Sequence, residues 1–428
     1  MELHRFFRYA IEKMCKEKKS LNHFNKKVYK MNKKSKISLV ILATLSTTLL
    51  LGCGGDKIIV GSETNANPIS SQKPVLNVYI ENSGSMDGYM CEGSQLKDAV
   101  FDYVSDLSIY SDTTKLNYIN NKIIPYKGNL ELYIKTMTPA TFQKAGGNHS
   151  NSDLGEMLKM VLQEMSDTSV SIFISDCILD LPVSNSQKFL NTCQISIKNA
   201  INEGRSRIPN LGIEIIKMMS DFNGNYYYPN GGIEKLKDVK RPYYIWIFGD
   251  SNMLAKLNSE VSVNELGNFG FEDIVSYSPK VAEPYDIQNR ALTSTTINSK
   301  KGDYYATIRV DFRSTLQPET VIQNLSNYTF NNQSIIIEDI KPITAQGSPY
   351  THFVNIVIPK GVNIAEDNLI LKAPQMPNWV FESNDENGKN VNDNLNKTTG
   401  IKYLIEGVAD AYKKDNILTS LKFTVKRK

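Results

Sequence analysis

The chain has 428 residues, with 49 Lys+Arg against 45 Asp+Glu, a formal charge of +4 and 41% hydrophobic residues. Twelve of the bases and three of the acids lie in residues 1–52, so the other 376 residues hold 37 bases and 42 acids and are slightly acidic. That balance excludes a general electrostatic footprint for nucleic acid, and a length of 376 residues predicts two domains rather than one small core.

The basic run Lys33, Lys34, Lys36 precedes Ile37–Leu51, fifteen residues without charge and with five hydroxyl side chains. A positive segment ahead of an uncharged apolar one has the pattern of a secretory signal. As a helix rising about 1.5 Å per residue the run reaches ~22 Å, short of the ~30 Å hydrocarbon core, which argues against a permanent span. It ends in Leu50-Leu51-Gly52-Cys53-Gly54-Gly55, which resembles the lipobox of bacterial lipoproteins: leucine three places before the cysteine and a small residue directly before it. The resemblance implies cleavage ahead of Cys53 and a diacylglycerol on its thiol, which makes residues 1–52 a signal peptide and leader. A start at Met31 gives the compact leader MNKKSK in place of thirty-six residues ahead of the apolar run. The resemblance also implies a periplasmic or surface-facing position on a membrane. Gly54, rather than aspartate, after the cysteine favours the outer membrane by the sorting rule known for some lipoproteins.

Residues 53–73 are rich in Ser, Asn, Gly and Pro without apolar periodicity, and predict a flexible tether spanning roughly 25 Å. Ordered sequence begins at Pro74. Val75–Ile80 suits a buried strand, and Leu96, Val100, Tyr103, Val104 and Leu107 follow at helical spacing. Strands are expected near Leu116–Ile124 and Leu130–Ile134, a helix over Ser152–Met165 and a strand over Val170–Ile174. A helix over Ser186–Glu203 and strands over Gly212–Met218 and Tyr243–Phe248 complete the alternation. Strands separated by helices predict an α/β fold with a mainly parallel sheet over residues 74–258 and ligands beyond the carboxyl ends of its strands. After a linker over 259–299, short β-branched segments at Tyr304–Phe312, Gln333–Ile340, His352–Ile358 and Leu369–Leu371 predict a β-rich domain over 300–428, interrupted by one amphipathic helix at Thr399–Lys413.

Glu81-Asn82-Ser83-Gly84-Ser85-Met86 stands where the first buried strand enters its loop. Two hydroxyls two positions apart on a tight loop can face one centre, Gly84 relaxes the backbone between them, and carboxylates supply charge. Here the chain resembles the von Willebrand factor A (vWA) family, whose metal-ion-dependent adhesion site (MIDAS) opens with Asp-x-Ser-x-Ser. The resemblance covers about residues 74–258 and implies a Rossmann-like fold and a divalent cation, Mg²⁺ or Mn²⁺ given oxygen-only ligands. It assigns the later aspartate of the site to Asp176, after Phe173-Ile174-Ser175. The threonine of its Gly-Gly-Thr loop is replaced in Gly146-Gly147-Asn148-His149-Ser150 by asparagine, leaving Asn148 or Ser150 to serve, and the first acid is Glu81 rather than aspartate. His149 beside this loop reads as a solvated loop histidine. Cys91 and Cys177 follow loops at the same sheet edge, and either a disulfide between them or free thiols would suit that position.

Ile247-Phe248-Gly249-Asp250-Ser251 is similar to the nucleophile block of the GDSL hydrolases, but that family supplies its base from a late Asp-x-x-His, and here Pro349 stands three places before the late histidine, His352. Asp250 capping the next helix accounts for the block equally well. Tyr226-Tyr227-Tyr228-Pro229 suits either an exposed contact for a glycan or protein or packing under a loop.

Taken together, the residues predict a lipid-anchored envelope protein. Its vWA-like domain engages an envelope or extracellular protein partner through a cation at Glu81, Ser83, Ser85, Asn148, Ser150 and Asp176. Binding without turnover is expected, and a metal-free structural scaffold is the alternative. Expressed in a bacterium that processes lipoproteins, the wild type should enter the detergent phase of a Triton X-114 partition and Cys53→Ser should remain aqueous. A wild type that already stays aqueous defeats the anchor.

Overall fold

The computed structural model describes residues 58–62, 72–150, 153–280, 285–288, 303–361, 365–414 and 416–427; the leader and Cys53 lie outside them. The helix–strand alternation of the first half builds a seven-stranded sheet: β2 (Val75–Glu81), β3 (Thr113–Ile119), β4 (Ile123–Pro125), β5 (Ser169–Ser175), β6 (Leu211–Tyr227), β7 (Ile233–Asp250) and β8 (Phe271–Tyr277). Their order across the sheet is β4-β3-β2-β5-β7-β6-β8. β2 pairs in parallel with β3 and with β5. The other pairings, β4 to β3, β7 to β5, β6 to β7 and β8 to β6, are antiparallel. The class is α/β with a mixed sheet.

The mainly parallel pairing expected from the sequence thus holds at the centre, and its limit has a local cause. Parallel neighbours need a crossover, which α1 (Gln95–Ile109) supplies between β2 and β3. β6 and β7 are instead joined by the short turn Tyr228-Pro229-Asn230-Gly231-Gly232, where Gly231 has φ +82° and the Tyr228 amide donates to the Gly232 carbonyl at 2.9 Å. So short a loop permits only an antiparallel pair. The hairpin pairs from Leu211 with Asp250 to Tyr227 with Ile233, whereas β5 meets β7 only from Ser171 with Phe248 to Ser175 with Tyr244. The rest of the hairpin overhangs the carboxyl end of β5.

The sheet is covered on both faces. On one, α1 and α4 (Ser251–Glu260) bury Leu96, Val100, Leu107 and Leu254 against Ile80, Ile172 and Ile216. On the other, α2 (Leu154–Glu164) and α3 (Ser186–Arg207) bury Leu158, Val161 and Ile197 against Phe173, Ile215 and Trp246. One expected strand is corrected: Leu130–Lys135 is a short helix, because the Asn129 side chain accepts from the Leu132 amide at 2.9 Å and caps its first turn.

The second half is a β-sandwich. One four-stranded sheet runs β1-β17-β14-β11, with β1 at Ile58–Ser62, β11 at Tyr328–Phe330, β14 at Glu366–Lys372 and β17 at Ile417–Arg427. The other runs β12-β13-β10-β9, with β9 at Tyr285–Gln288, β10 at Tyr304–Val310, β12 at Ile336–Pro342 and β13 at His352–Ile358. Their pairs are antiparallel, and Ile308, Val354 and Ile356 of one sheet pack with Leu369, Leu421 and Phe423 of the other. The expected tether is corrected at Ile58–Ser62: β1 is hydrogen-bonded along its length to β17, from Ile58 with Arg427 to Ser62 with Phe423.

The boundaries expected at 258 and 300 do not separate the halves cleanly, and Lys57–Lys428 form one unit. β8 extends the first sheet past residue 258. Two short strands, β15 (Asn384–Asp385) and β16 (Thr398–Thr399), lead into α5 (Ile401–Tyr412), which returns to pack on α3 and places Ile401, Leu404, Ile405 and Val408 in the first half's core. Arg205 fastens the contact, donating to the Ala411 carbonyl at 2.5 Å and lying 4.3 Å over the Tyr412 ring. Gly407 sits at the crossing, where a Cβ would come within 2.6 Å of the Gln194 carbonyl oxygen. Gly407→Val should therefore lower stability by about 1–3 kcal/mol, the usual cost of overpacking, seen as a lower urea midpoint. An unchanged midpoint would mean that α5 is not docked there.

Candidate functional site

Three loops converge beyond the carboxyl ends of β2 and β5. The first follows Glu81 and turns into a 3-10 segment, Gly84–Met90. Ser83 is buried and Ser85 half-buried, with their Oγ atoms 3.1 Å apart. The segment rests on the hairpin overhang almost backbone to backbone: a Cβ on Gly224 would come within 2.5 Å of Gly88 Cα. Only glycine permits that approach. Tyr89 completes the seat, donating to the Pro242 carbonyl at 2.6 Å and meeting Phe222 edge-on at 4.9 Å.

The second loop starts at Asp176, directly after β5. Its amide meets Met86 Sδ at 3.2 Å, and its Oδ1 accepts from the Ile178 amide at 3.2 Å. The nearby Ser85 hydroxyl favours the charged form of this carboxyl. Asp176 Oδ2 is buried without a hydrogen-bond partner. Glu81, fully buried, accepts from the Ser175 hydroxyl, which itself accepts from the Cys177 amide at 2.8 Å. Burial first, and the charge of Glu81 second, push the Asp176 carboxyl well above the usual carboxylate range. Arg241, 2% exposed, acts weakly in the other direction; its guanidinium donates to the carbonyls of Asn394 and Leu395 at 3.2 and 3.3 Å.

The third loop is Gly146–Ser150. Asn120 Nδ2 donates to Asn82 Oδ1 at 2.7 Å and to the Gly146 carbonyl at 2.9 Å, tying this loop to the first. Gly147, at φ +73°, has no room for a side chain, since a Cβ would meet Asn120 Oδ1 at 2.0 Å. His149 is a clamp rather than a solvated side chain. Its Nδ1 lies 2.8 Å from the Asn82 carbonyl, its Nε2 3.2 Å from Asp87 Oδ2, and its own carbonyl accepts from the Gly84 amide at 3.0 Å.

The structure brings Glu81, Ser83, Ser85 and Asp176 together. Asn148 and Ser150 stand apart as an exposed pair, the Asn148 side chain accepting from the Ser150 amide at 3.1 Å; Ser150 also lines the cavity described below. Among the described residues no three His, Cys, Asp or Glu side chains gather as a metal cluster. The donor set is two carboxylates and two hydroxyls, all oxygen. With the orphaned Asp176 Oδ2 beside the serine pair, it fits one small hard cation.

The disulfide alternative is corrected. Cys91, Cys177 and Cys193 are free thiols. Cys177 is buried in the core beneath α2 and α3, whereas Cys91 follows Met90, which packs in the core of the opposite face. Ser251 is fully buried at the start of α4, and Asp250 caps that helix, accepting from the amides of Asn252 and Met253 at 2.9 and 3.3 Å. His352 lies in the sandwich, 3.0 Å from Glu319.

A cavity of about 470 Å³ opens over the serine pair. Ser83, Ser85 and His149 line one side; Leu179, Leu181 and Tyr227 line another. Thr399 closes it from the second half, its carbonyl accepting from the Leu179 amide at 3.0 Å and its hydroxyl 3.2 Å from that of Tyr226. Sequence reasoning found the two strand ends but took His149 for a solvated side chain and missed Ser175, Arg241 and Thr399. Their roles arise from contacts between distant segments, for which no local pattern exists.

Because the folded protein holds the Asp176 proton to a higher pH than the unfolded chain, that stabilising contribution is complete at acid pH and is lost as pH rises through neutrality. In metal-free buffer the melting temperature should fall between roughly pH 4 and roughly pH 7, and Asp176→Asn should flatten part of that slope. Buried Glu214, whose carboxyl is also raised, to about 7, contributes in the same direction, as does Glu406. An unaltered slope in Asp176→Asn would show that Asp176 ionises normally. Neither a protein-family model nor a curated protein matches the chain.

Proposed function

We propose that this is a lipid-anchored envelope protein whose vWA-like half binds a carboxylate-bearing protein partner at a divalent-cation site. The supporting observation is the unpartnered Oδ2 of buried Asp176, behind the Ser83 and Ser85 hydroxyls that line an open cavity. Ser83, Ser85 and Asp176 would hold the cation, and Glu81 would supply further negative charge. A bound Mg²⁺ or Mn²⁺ offers an open coordination position to an incoming carboxylate. The chain's own part is positional. Ser175 holds Glu81, the Ile178 amide orients Asp176, and the His149 clamp keeps the serine loop in register with the Gly146–Ser150 loop. None of these groups activates a nucleophile, so the reading is one of adhesion or assembly without turnover.

A second reading, a metal-free scaffold, is favoured by one observation: buried Arg241 already supplies positive charge near Asp176, and a proton on that carboxyl would neutralise the rest. Calorimetric titration with Mg²⁺ and Mn²⁺ at about pH 8 separates the two. The cation site predicts saturable heat that Ser83→Ala and Asp176→Ala each reduce at least about tenfold in affinity, equivalent to ~1.4 kcal/mol. Flat titrations of the folded wild type select the scaffold.

A further inference from the structure

The cavity holds more than a carboxylate needs, and its excess is apolar. Beside the serine floor stand Ile178, Leu179 and Leu181, which follow Asp176, and opposite them the hairpin overhang delivers Tyr226 and Tyr227. Leu179, Leu181 and Tyr226 are buried, at 4%, 3% and 4% exposed, and so form fixed walls, whereas Tyr227 remains 44% exposed at the mouth with its ring over Gly84. The walls are also braced across the chain through Thr399, so the cavity is preformed. Its volume of about 470 Å³ lies within the ~300–1,000 Å³ of ligand pockets, enough for a few side chains and too small for a folded surface.

We infer that this cavity is a side-chain subsite, with Tyr227 and Leu181 as its specificity-determining residues, for an extended segment of a partner protein in which a large apolar or aromatic residue adjoins an acidic one. The inference rests on the cation-site reading, which fixes where the acid lies, and adds what must flank it. The observation that selects this occupant is the run of large apolar and aromatic side chains, Ile178, Leu179, Leu181 and Tyr226 to Pro229, that shares the cavity with the serine hydroxyls. Exposed Asp180 at the rim adds negative charge beside Leu179 and Leu181, which disfavours a second acid on that side.

The test uses the folded chain beyond Cys53 with saturating Mg²⁺ and three probes: N-acetyl-Asp-Phe-amide, N-acetyl-Asp-Gly-amide and 3-phenylpropanoate. Binding is followed by protein-observed NMR, with Mg²⁺ affinity measured on the same samples. The Phe dipeptide should bind about tenfold or more tighter than the Gly dipeptide, as burying one large apolar side chain provides. Tyr227→Ala, at a partly exposed position, should remove most of that ratio and leave Mg²⁺ affinity unchanged; Leu181→Ala, at a buried one, provides the second variant. Equal affinities for the two dipeptides with Mg²⁺ bound would overturn the subsite and leave the cation site standing. Phenylpropanoate binding as tightly as the Phe dipeptide would overturn the peptide assignment in favour of a free apolar acid. Failure of Mg²⁺ to bind would overturn the cation-site reading and this inference with it.

Discussion

Two carboxylates, Glu81 and Asp176, end neighbouring parallel strands with almost no water around either. Desolvating a charge costs several kcal/mol unless nearby groups compensate, and much of the surrounding architecture does so. Ser175 and the Ile178 amide donate to the pair, and Arg241 brings a buried positive charge held by carbonyls of the 394–395 segment. The compensation is incomplete at Asp176 Oδ2, and that residue's carboxyl shows the strain as a strengthened hold on its proton. The loops, the overhanging hairpin and the returning C-terminal segment are arranged around a local deficit of positive charge.

The second half of the chain is thus part of the site's construction. The Thr399 carbonyl anchors the loop after Asp176, its hydroxyl meets Tyr226, and the Asn394 and Leu395 carbonyls hold Arg241. α5 then buries its apolar face against α3. A site assembled from residues 81, 176, 226 and 399 takes shape only after long-range closure, which is entropically costly and gives the completed cavity little freedom to rearrange.

Elements whose cause is local were readable from the sequence. The mostly apolar character of Val75–Ile80 and Val170–Ile174 marked the buried central strands, helical spacing marked α1 and α2, and the order of Ser83, Ser85 and Asp176 along those elements placed the strand-end loops. The long hairpin was partly legible. Pro229-Asn230-Gly231-Gly232 is a strong turn signal, but Asp221–Asn225 and Glu234–Arg241 are polar enough to read as loop because their strands extend beyond the core. β1 was illegible for another reason: it is stabilised by pairing with a strand remote in sequence and has no distinctive period, whereas β17 does alternate, Leu421, Phe423 and Val425 with Lys422, Thr424 and Lys426. Glu81 in place of aspartate gained a physical meaning, since its carboxylate accepts from Ser175 on the neighbouring strand.

The pairing of β1 with β17 joins the first and last strands of the described chain, five residues against five. Tension entering through the backbone ahead of Ile58 is directed along β1, and the bonds of the antiparallel ladder lie across that direction. They are loaded together in shear rather than opened one at a time. The load passes next through β17 into the sandwich, and α5, the nearest element joining β17 to the other half, is locked by Arg205 and Tyr412. In mechanical terms the sandwich takes the strain first, and the serine loops sit outside the direct path of the force.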